Sequence, residues 1–366
     1  MPRQLSDGYC TGQDGDLDAF AGRSVAVIGY GHLGRSVALN LRDSGLAVTV
    51  GSREDASAET ARADGFAVEP IAAALAENRL SWVLLPDEVI PTVLGPETVA
   101  SLPAGSLLCL SSGYVLAYGL VDLSDAPVDV VMLAPRMVGT EVRRCYLDGK
   151  PFFGYMSVEQ DRSGKAEALL LGLGRAVGTT RFRGVALTAR QEATVDLFVE
   201  QTVGPVLGNA VMCAFNVGVE AGIPPEALVL ELYQSGEMSR TWQAFADEGF
   251  YRAVRLHGRA AAFGGFVHIG DVDSAAMTAT FEATLEQITD GSFSRRFEEE
   301  REAGYPNFDV IDAMTAGDDA MSRAETRVRS WFEPAGSVAV GDGRVGAPAD
   351  GGVTGLAEGA GTGAAP

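Results

Sequence analysis

One segment limits what this chain can fold into more than any other. Ser24 to Ile28 is a short β-rich run that leads directly into Gly29-Tyr30-Gly31-His32-Leu33-Gly34, and a helix-like stretch, RSVALNLRDSG, follows. Strand, GxGxxG turn and helix in that order commit the chain to a βαβ start of the dinucleotide-binding kind. Gly29 permits the tight turn, Gly31 lets the backbone approach a pyrophosphate, and Gly34 lets helix and strand pack closely. The helix N-terminus then presents N–H donors and the positive end of its dipole. A purely structural glycine turn is the bland alternative; the second strand, 47–50, in its proper place argues against it.

The pattern around this start points to a doubly wound α/β unit. The runs SVAVIG, LAVTVG, SWVLLP, SLLCLS, VDVVMLAP and PFFGYMSV alternate with helix-like stretches up to about residue 185, which is the signature of a parallel, Rossmann-type sheet. From 186 to 332 long segments keep helical spacing without a strand signal, so an all-helical domain is expected there. The first 19 residues lack apolar periodicity, and from about Pro334 the chain turns to Gly, Ala and Asp. Both ends are expected to be tails, 1–19 flexible and 333–366 disordered.

Charge and composition remove several classes of function. The chain has 28 Lys and Arg against 49 Asp and Glu, a formal charge of −21, and so acidic a surface repels phosphate backbones. No nucleic-acid partner is expected. No uncharged apolar run is read as approaching the roughly 20 residues of a bilayer span, so no membrane partner is expected either. Cys10, Cys109, Cys145 and Cys213 lack metal-type spacing and read as reduced thiols of a cytoplasmic protein.

The second strand ends at Gly51-Ser52-Arg53 with no Asp or Glu to accept a ribose 2′-hydroxyl. Arg53, with the hydroxyls of Ser52 and Ser57, suits a 2′-phosphate, so NADP is expected; Glu54 and Asp55 would oppose it if they faced the phosphate. A solvated surface charge is the alternative for Arg53. Further on, Asp196 and Glu200 are spaced i, i+4 and share one helix face, with Glu192 a turn earlier. Stacked carboxylates in a half-apolar setting call for a cation or a proton. With no His or Cys spaced to select a softer metal, Mg²⁺ fits, although a solvated acidic face would look the same.

These residues resemble the ketol-acid reductoisomerases, enzymes of branched-chain amino-acid synthesis. VAVIGYGHLGRSVALNLRDSGLAVTVGSR matches the family's nucleotide segment, and LLPDEV, SSGYVLAYG, APRMVG, VRRCYLDG, DLFVEQ, VEAGIPPEALVLE and LEQITDGSFSRRFEEEREAGYP follow in the family's order over residues 20–315. The resemblance implies a Rossmann domain followed by a knotted helical domain of the short-chain class, a homodimer, NADPH and two Mg²⁺. It implies alkyl migration in an acetohydroxy acid, a small-molecule substrate, followed by reduction of the keto acid formed. By position it implies that Tyr30, Gly31, His32, Leu33, Arg53, Ser57, Asp87, Glu88, Val89, Ile90 and Gly139 line the cofactor. It implies that Asp196 bridges the metals, that Glu200 completes one site and that Glu231 contributes from a later helix.

The departures are specific. The family's histidine in SSG is Ser112 here, its lysine in APRMVG is Arg136, and its second late glutamate is Ser235. Its substrate serine falls near Gly258, beside Arg259, where Arg255 and Arg259 could pair with a carboxylate or be surface charges. The catalytic candidates are therefore Arg136, Ser112, Asp196 and Glu200. Arg keeps a charge but cannot shuttle a proton. Glu237 is no expected substitute for Ser235, because six residues from Glu231 turn a helix by about 600° and onto another face. One Mg²⁺ site is expected, with the second weak or absent, and reduction should outlast migration. A pure reductase and a silent NADP-binding protein are the competing readings.

Overall fold

The structure, a computed structural model, describes residues 5–20 and 22–332; the expected tail from 333 lies outside these. Nine strands occur among the described residues: β1 Tyr9–Cys10, β2 Ser24–Ile28, β3 Ala47–Gly51, β4 Ala67–Glu69, β5 Leu80–Val83, β6 Leu107–Leu110, β7 Asp129–Pro135, β8 Gly154–Gln160 and β9 Gly184–Ala186. Eight helices alternate with them: α1 His32–Asp43, α2 Ala56–Ala63, α3 Ile71–Glu77, α4 Ile90–Val93, α5 Pro96–Ser101, α6 Tyr114–Ala117, α7 Gly139–Asp148 and α8 Ala166–Val177. Then come α9 Ala189–Glu220, α10 Pro225–Val229, α11 Glu237–Glu248, α12 Arg259–His268, α13 Ser274–Thr289, α14 Ser292–Glu302, α15 Pro306–Thr315 and α16 Ala320–Phe332.

The strands form one sheet in the order β1-β9-β8-β7-β6-β5-β2-β3-β4. From β7 through β4 the neighbours are parallel, as expected; β8 then runs antiparallel to β7, and β1 antiparallel to β9. The sheet is therefore mixed at one side. Strand alternation feeds a separate core on each face: Val25, Val27, Trp82 and Leu133 on one, Ala26, Ile28, Leu108 and Leu110 on the other. Helices α1, α7 and α8 cover the first core, and α3 and α6 the second. That is the doubly wound arrangement. Its strand order reverses between β2 and β5, the place where such sheets take ligands.

The expected N-terminal tail is corrected. Tyr9 and Cys10 pair with Val185 and Gly184, and Cys10 and Phe20 are buried at 0% and 2% exposure. The Leu5 amide donates to Glu167 Oε1 at 2.7 Å. Single anchors several residues apart hold this segment, so it carries no period to read.

The helical region does not form one unit. The first unit takes residues 1–212 and 257–316; the second takes 213–256 and, of the described residues, 317–332. The second has its own small core of Phe215, Val229 and Ala324, with Tyr233 donating to Glu325 at 2.6 Å. The reading that no uncharged run approaches a bilayer span is also corrected. Residues 202–219 carry no charge, and α9 is long and apolar enough to cross a membrane by length and composition alone.

Candidate active site

The candidate residues of the first unit gather where the parallel strands end. The glycine loop follows β2, Ser52 and Arg53 follow β3, Asp87 comes shortly after β5, Ser112 after β6, and Arg136 directly after β7. Carboxyl ends of parallel strands are where an open α/β sheet leaves a crevice. A sheet that places its strands in this order thus draws residues more than 100 positions apart onto one edge.

At the nucleotide end the glycines do what their spacing implied. Gly29 has φ +97°, and a Cβ on Gly34 would stand 2.2 Å from the Gly29 carbonyl oxygen. Around Gly31 nothing lies within 4 Å of such a Cβ, so the loop keeps room for a ligand. Gly139, first residue of α7, packs on the same loop: its Cβ would come 2.8 Å from the Leu33 nitrogen. A cavity of about 560 Å³ opens here, lined by Tyr30, Gly31, His32 and Ser57 among others. Tyr30 is held by its hydroxyl on Asp64 at 2.9 Å, and Asp64 also takes both ends of the Arg35 fork at 2.7 and 3.0 Å.

The two acids that follow Arg53 have partners of their own. Glu54 accepts from Arg62 at 2.6 and 2.9 Å, and Asp55 caps α2 by accepting from the Ser57 and Ala58 amides. Arg53 stands largely exposed, 3.9 Å from Asp55. Ser52 is buried, and its amide donates to the Glu69 carbonyl at 3.0 Å. Ile90 is in the core at 2% exposure, and Val89 sits ahead of α4 beside Glu88. Asp87 accepts from the Ser112 hydroxyl at 3.2 Å, while Ser112 accepts from the Tyr114 amide at 3.0 Å.

The centre of the site is a guanidinium among carboxylates. Arg136 donates from Nη2 to Asp196 and from Nη1 to Glu192 Oε1 at 3.3 Å. Its backbone amide donates to the Phe153 carbonyl at 2.9 Å, and its head group stands 5.5 Å over the Tyr155 ring. Glu192, 1% exposed, accepts from the Gly113 amide at 2.7 Å. A Cβ on Gly113 would meet the Ala189 oxygen at 2.0 Å, so glycine there lets α9 approach the sheet edge.

Burial pushes the Asp87 carboxyl up to about 7 against the pull of Ser112, and the charges of Glu88, Asp196 and Glu200 add to it. Burial likewise pushes Glu192 to about 7, opposed by the Gly113 amide and aided by Asp196. Glu200 is raised by partial burial and then by Asp196. Burial works against the charge of Arg136, but Asp196 and Glu192 outweigh it and hold the guanidinium protonated. Sequence reasoning had Glu192 as a competing member of the stripe; its place as Arg136's second partner, and that of Tyr155, had no sequence signal.

Three further expected members lie on other elements. Gly258 and Arg259 stand exposed at the start of α12. Glu231 is exposed in a π-turn, Leu230–Gln234, of the second unit. Gly236 then takes a left-handed conformation, φ +80°, and Glu237 opens a new helix. The expectation of an unbroken helix from Glu231 to Glu237 is thus corrected, because the glycine supplies the kink. Among the described residues, no three carboxylate, imidazole or thiolate groups converge closely enough to hold a metal ion.

Comparison with known proteins places the chain in a family. The family profile of the acetohydroxy acid isomeroreductase NADPH-binding domain matches residues 19–183, and that of the ketol-acid reductoisomerase C-terminal domain matches 190–333. A ketol-acid reductoisomerase (NADP(+)) of Renibacterium salmoninarum is 36% identical over 82% of this chain and 88% of its own. One of Akkermansia muciniphila is 34% identical over 87% and 97%. Among solved structures, an NADH-preferring ketol-acid reductoisomerase from an uncultured archean superposes with a TM-score of 0.82 at 30% identity, covering 88% of this chain and 99% of that one. A semialdehyde dehydrogenase NAD-binding protein from Cupriavidus necator, 17% identical over 74% of this chain and 98% of that one with a TM-score of 0.57, shares the fold. The chain belongs to the ketol-acid reductoisomerase family, and its Rossmann unit is that family's NADPH-binding domain.

Proposed function

We propose that this NADP-dependent oxidoreductase acts on an acetohydroxy acid or a related 2-keto acid, with one Mg²⁺ held by Asp196 and Glu200. The observation that carries the reading is the gathering of Asp87, Ser112 and Arg136 from three strand ends onto the α9 carboxylates. Oxygen-only donors, with the Glu200 carboxyl raised by burial and then by the charge of Asp196, fit a hard cation. The fit is to one ion, since Arg136 already engages Asp196 and Ser235 stands where the family has a glutamate.

Bound NADPH would supply the hydride, and bound Mg²⁺ a Lewis acid for the substrate oxygens. The chain's own residues supply the rest. Arg136 can hold a substrate carboxylate or oxyanion, but it cannot release a proton near neutrality. Asp87 can, because its carboxyl is pushed up to about 7, and the Ser112 hydroxyl bonded to it is a route to a substrate oxygen. Glu54 is committed to Arg62 and Asp55 also caps α2, which leaves Arg53 largely exposed and supports NADPH over NADH. A second copy of the chain is the partner that the exposed apolar side chains of α9 and α12 support, among them Met212, Val217, Phe263 and Phe266.

One observation favours reduction without alkyl migration: Arg136, in place of a lysine, is committed to two carboxylates. NADPH oxidation with Mg²⁺, measured on an acetohydroxy acid and separately on its rearranged 2-keto acid, tests both readings. Turnover of both supports the full reaction, and turnover of the keto acid alone supports the reductase. Asp196→Ala should lower either rate by at least about 100-fold. No oxidation with either class overturns the proposal in favour of a nucleotide-binding protein.

A further inference from the structure

The geometry points to Arg136 as a tethered cation on the carboxylate of Asp196, whose fixed charge weakens the binding of a divalent ion there. The inference rests on the reading of Asp196 and Glu200 as metal carboxylates. It goes beyond that reading by giving the chain a built-in competitor for the ion.

The arginine is not a loose surface charge that happens to touch an acid. Its backbone is fixed at the end of β7 by the bond to Phe153, and its head group lies over Tyr155. One arm of the fork meets Glu192, which is itself buried and anchored from the other side by the Gly113 amide at 2.7 Å. The other arm meets Asp196. Backbone, ring and buried carboxylate therefore aim Nη2 at one oxygen of Asp196 before any ligand arrives. A preorganised fork loses little rotamer entropy on pairing, and a guanidinium never deprotonates to let go.

The consequence is a competition at one carboxylate. A metal ion at Asp196 shares that group with the guanidinium and feels the repulsion of a permanent positive charge beside it. A lysine at this position would behave differently, since an ammonium on a flexible stem can swing away or lose its proton. Nor can the charge be neutralised by pH in any ordinary range.

The experiment is calorimetric titration of Mg²⁺ into the full chain and into Arg136→Gln, with far-UV circular dichroism to confirm that the variant folds. A charge-assisted bond that metal binding weakens corresponds to about a ten- to hundredfold change in affinity, so Arg136→Gln should bind Mg²⁺ tighter by up to that factor. Equal or weaker binding in the variant overturns the inference while leaving Asp196 and Glu200 as metal ligands. Absence of binding in both proteins overturns it together with the metal reading. A second measurement covers a variant that fails to fold. In the native protein the ¹⁵Nη resonances of Arg136 should shift along the Mg²⁺ binding isotherm; resonances unmoved at saturation overturn the inference as well.

Discussion

The sheet and the helices that follow it bury their apolar side chains in different ways. In the sheet, Trp82, Leu133, Met132 and Leu110 are all at 0% exposure, covered by helices of the same unit. In α11 and α12 no residue is buried; Trp242 is 48% and Phe266 79% exposed. The same hydrophobic effect acts on both. The sheet region carries matched partners for its apolar surface, whereas these helices leave much of theirs uncovered, which is what the proposal of a second copy rests on. The contrast teaches that burial in the nucleotide half is met within its own unit and that in these helices it is not.

The largest effect that would sharpen this comparison lies in the glycine loop. Gly34→Val forces a branched side chain to where a Cβ alone would stand 2.2 Å from the Gly29 oxygen. The protein should neither fold nor bind NADPH at any concentration, as thermal melts and nucleotide fluorescence would show. Gly31→Ala meets nothing within 4 Å and should keep its melting temperature while losing nucleotide affinity. A folded, NADPH-binding Gly34→Val would break the account of the loop.

A core and a helix variant set the two regions directly against each other. Leu133→Ala should cost about 2–5 kcal/mol whatever the protein concentration. Phe263→Ser combined with Phe266→Ser should instead make stability depend on concentration and shift the sedimenting species from dimer to monomer. A native protein that sediments as a monomer at micromolar concentration, with these two changes harmless, would remove the difference between the regions.

The smallest expected effect concerns the buried carboxyl of Asp87, shortly after β5. Asp87 has its ordinary value of 3.8 raised to about 7, so between those values the folded state binds more protons than the unfolded one. Stability without Mg²⁺ should therefore fall as pH rises through that window. Asp87→Asn should flatten the decline, and added Mg²⁺ should reduce it. Denaturation midpoints against pH check this, and a rising or flat native profile would contradict it.

Much of the nucleotide half could be read in advance because its signals are local. Six strands announced themselves as β-rich runs, while β1, β4 and β9 are two or three residues long and have no period to detect. Leu5, Cys10 and Phe20 are buried one by one, which is why a docked segment resembled a tail. On the helical side the i, i+4 pair Asp196 and Glu200 is visible, whereas Gly236 makes a break possible without making it expected, since a left-handed glycine is one of several conformations the residue can adopt.

Local pattern settled the glycine loop, the alternation of strands and helices, and the shared face of two carboxylates, because each depends on residues a few positions apart. The charge balance of the site depended on strand order. Arg136 and Asp196 lie 60 residues apart, Gly113 and Glu192 79 apart, and they meet because β6 and β7 lie side by side and a glycine lets α9 approach their ends. Spacing along a chain can name a carboxylate pair. Which positive charge answers it is decided by which strand ends come to stand next to each other.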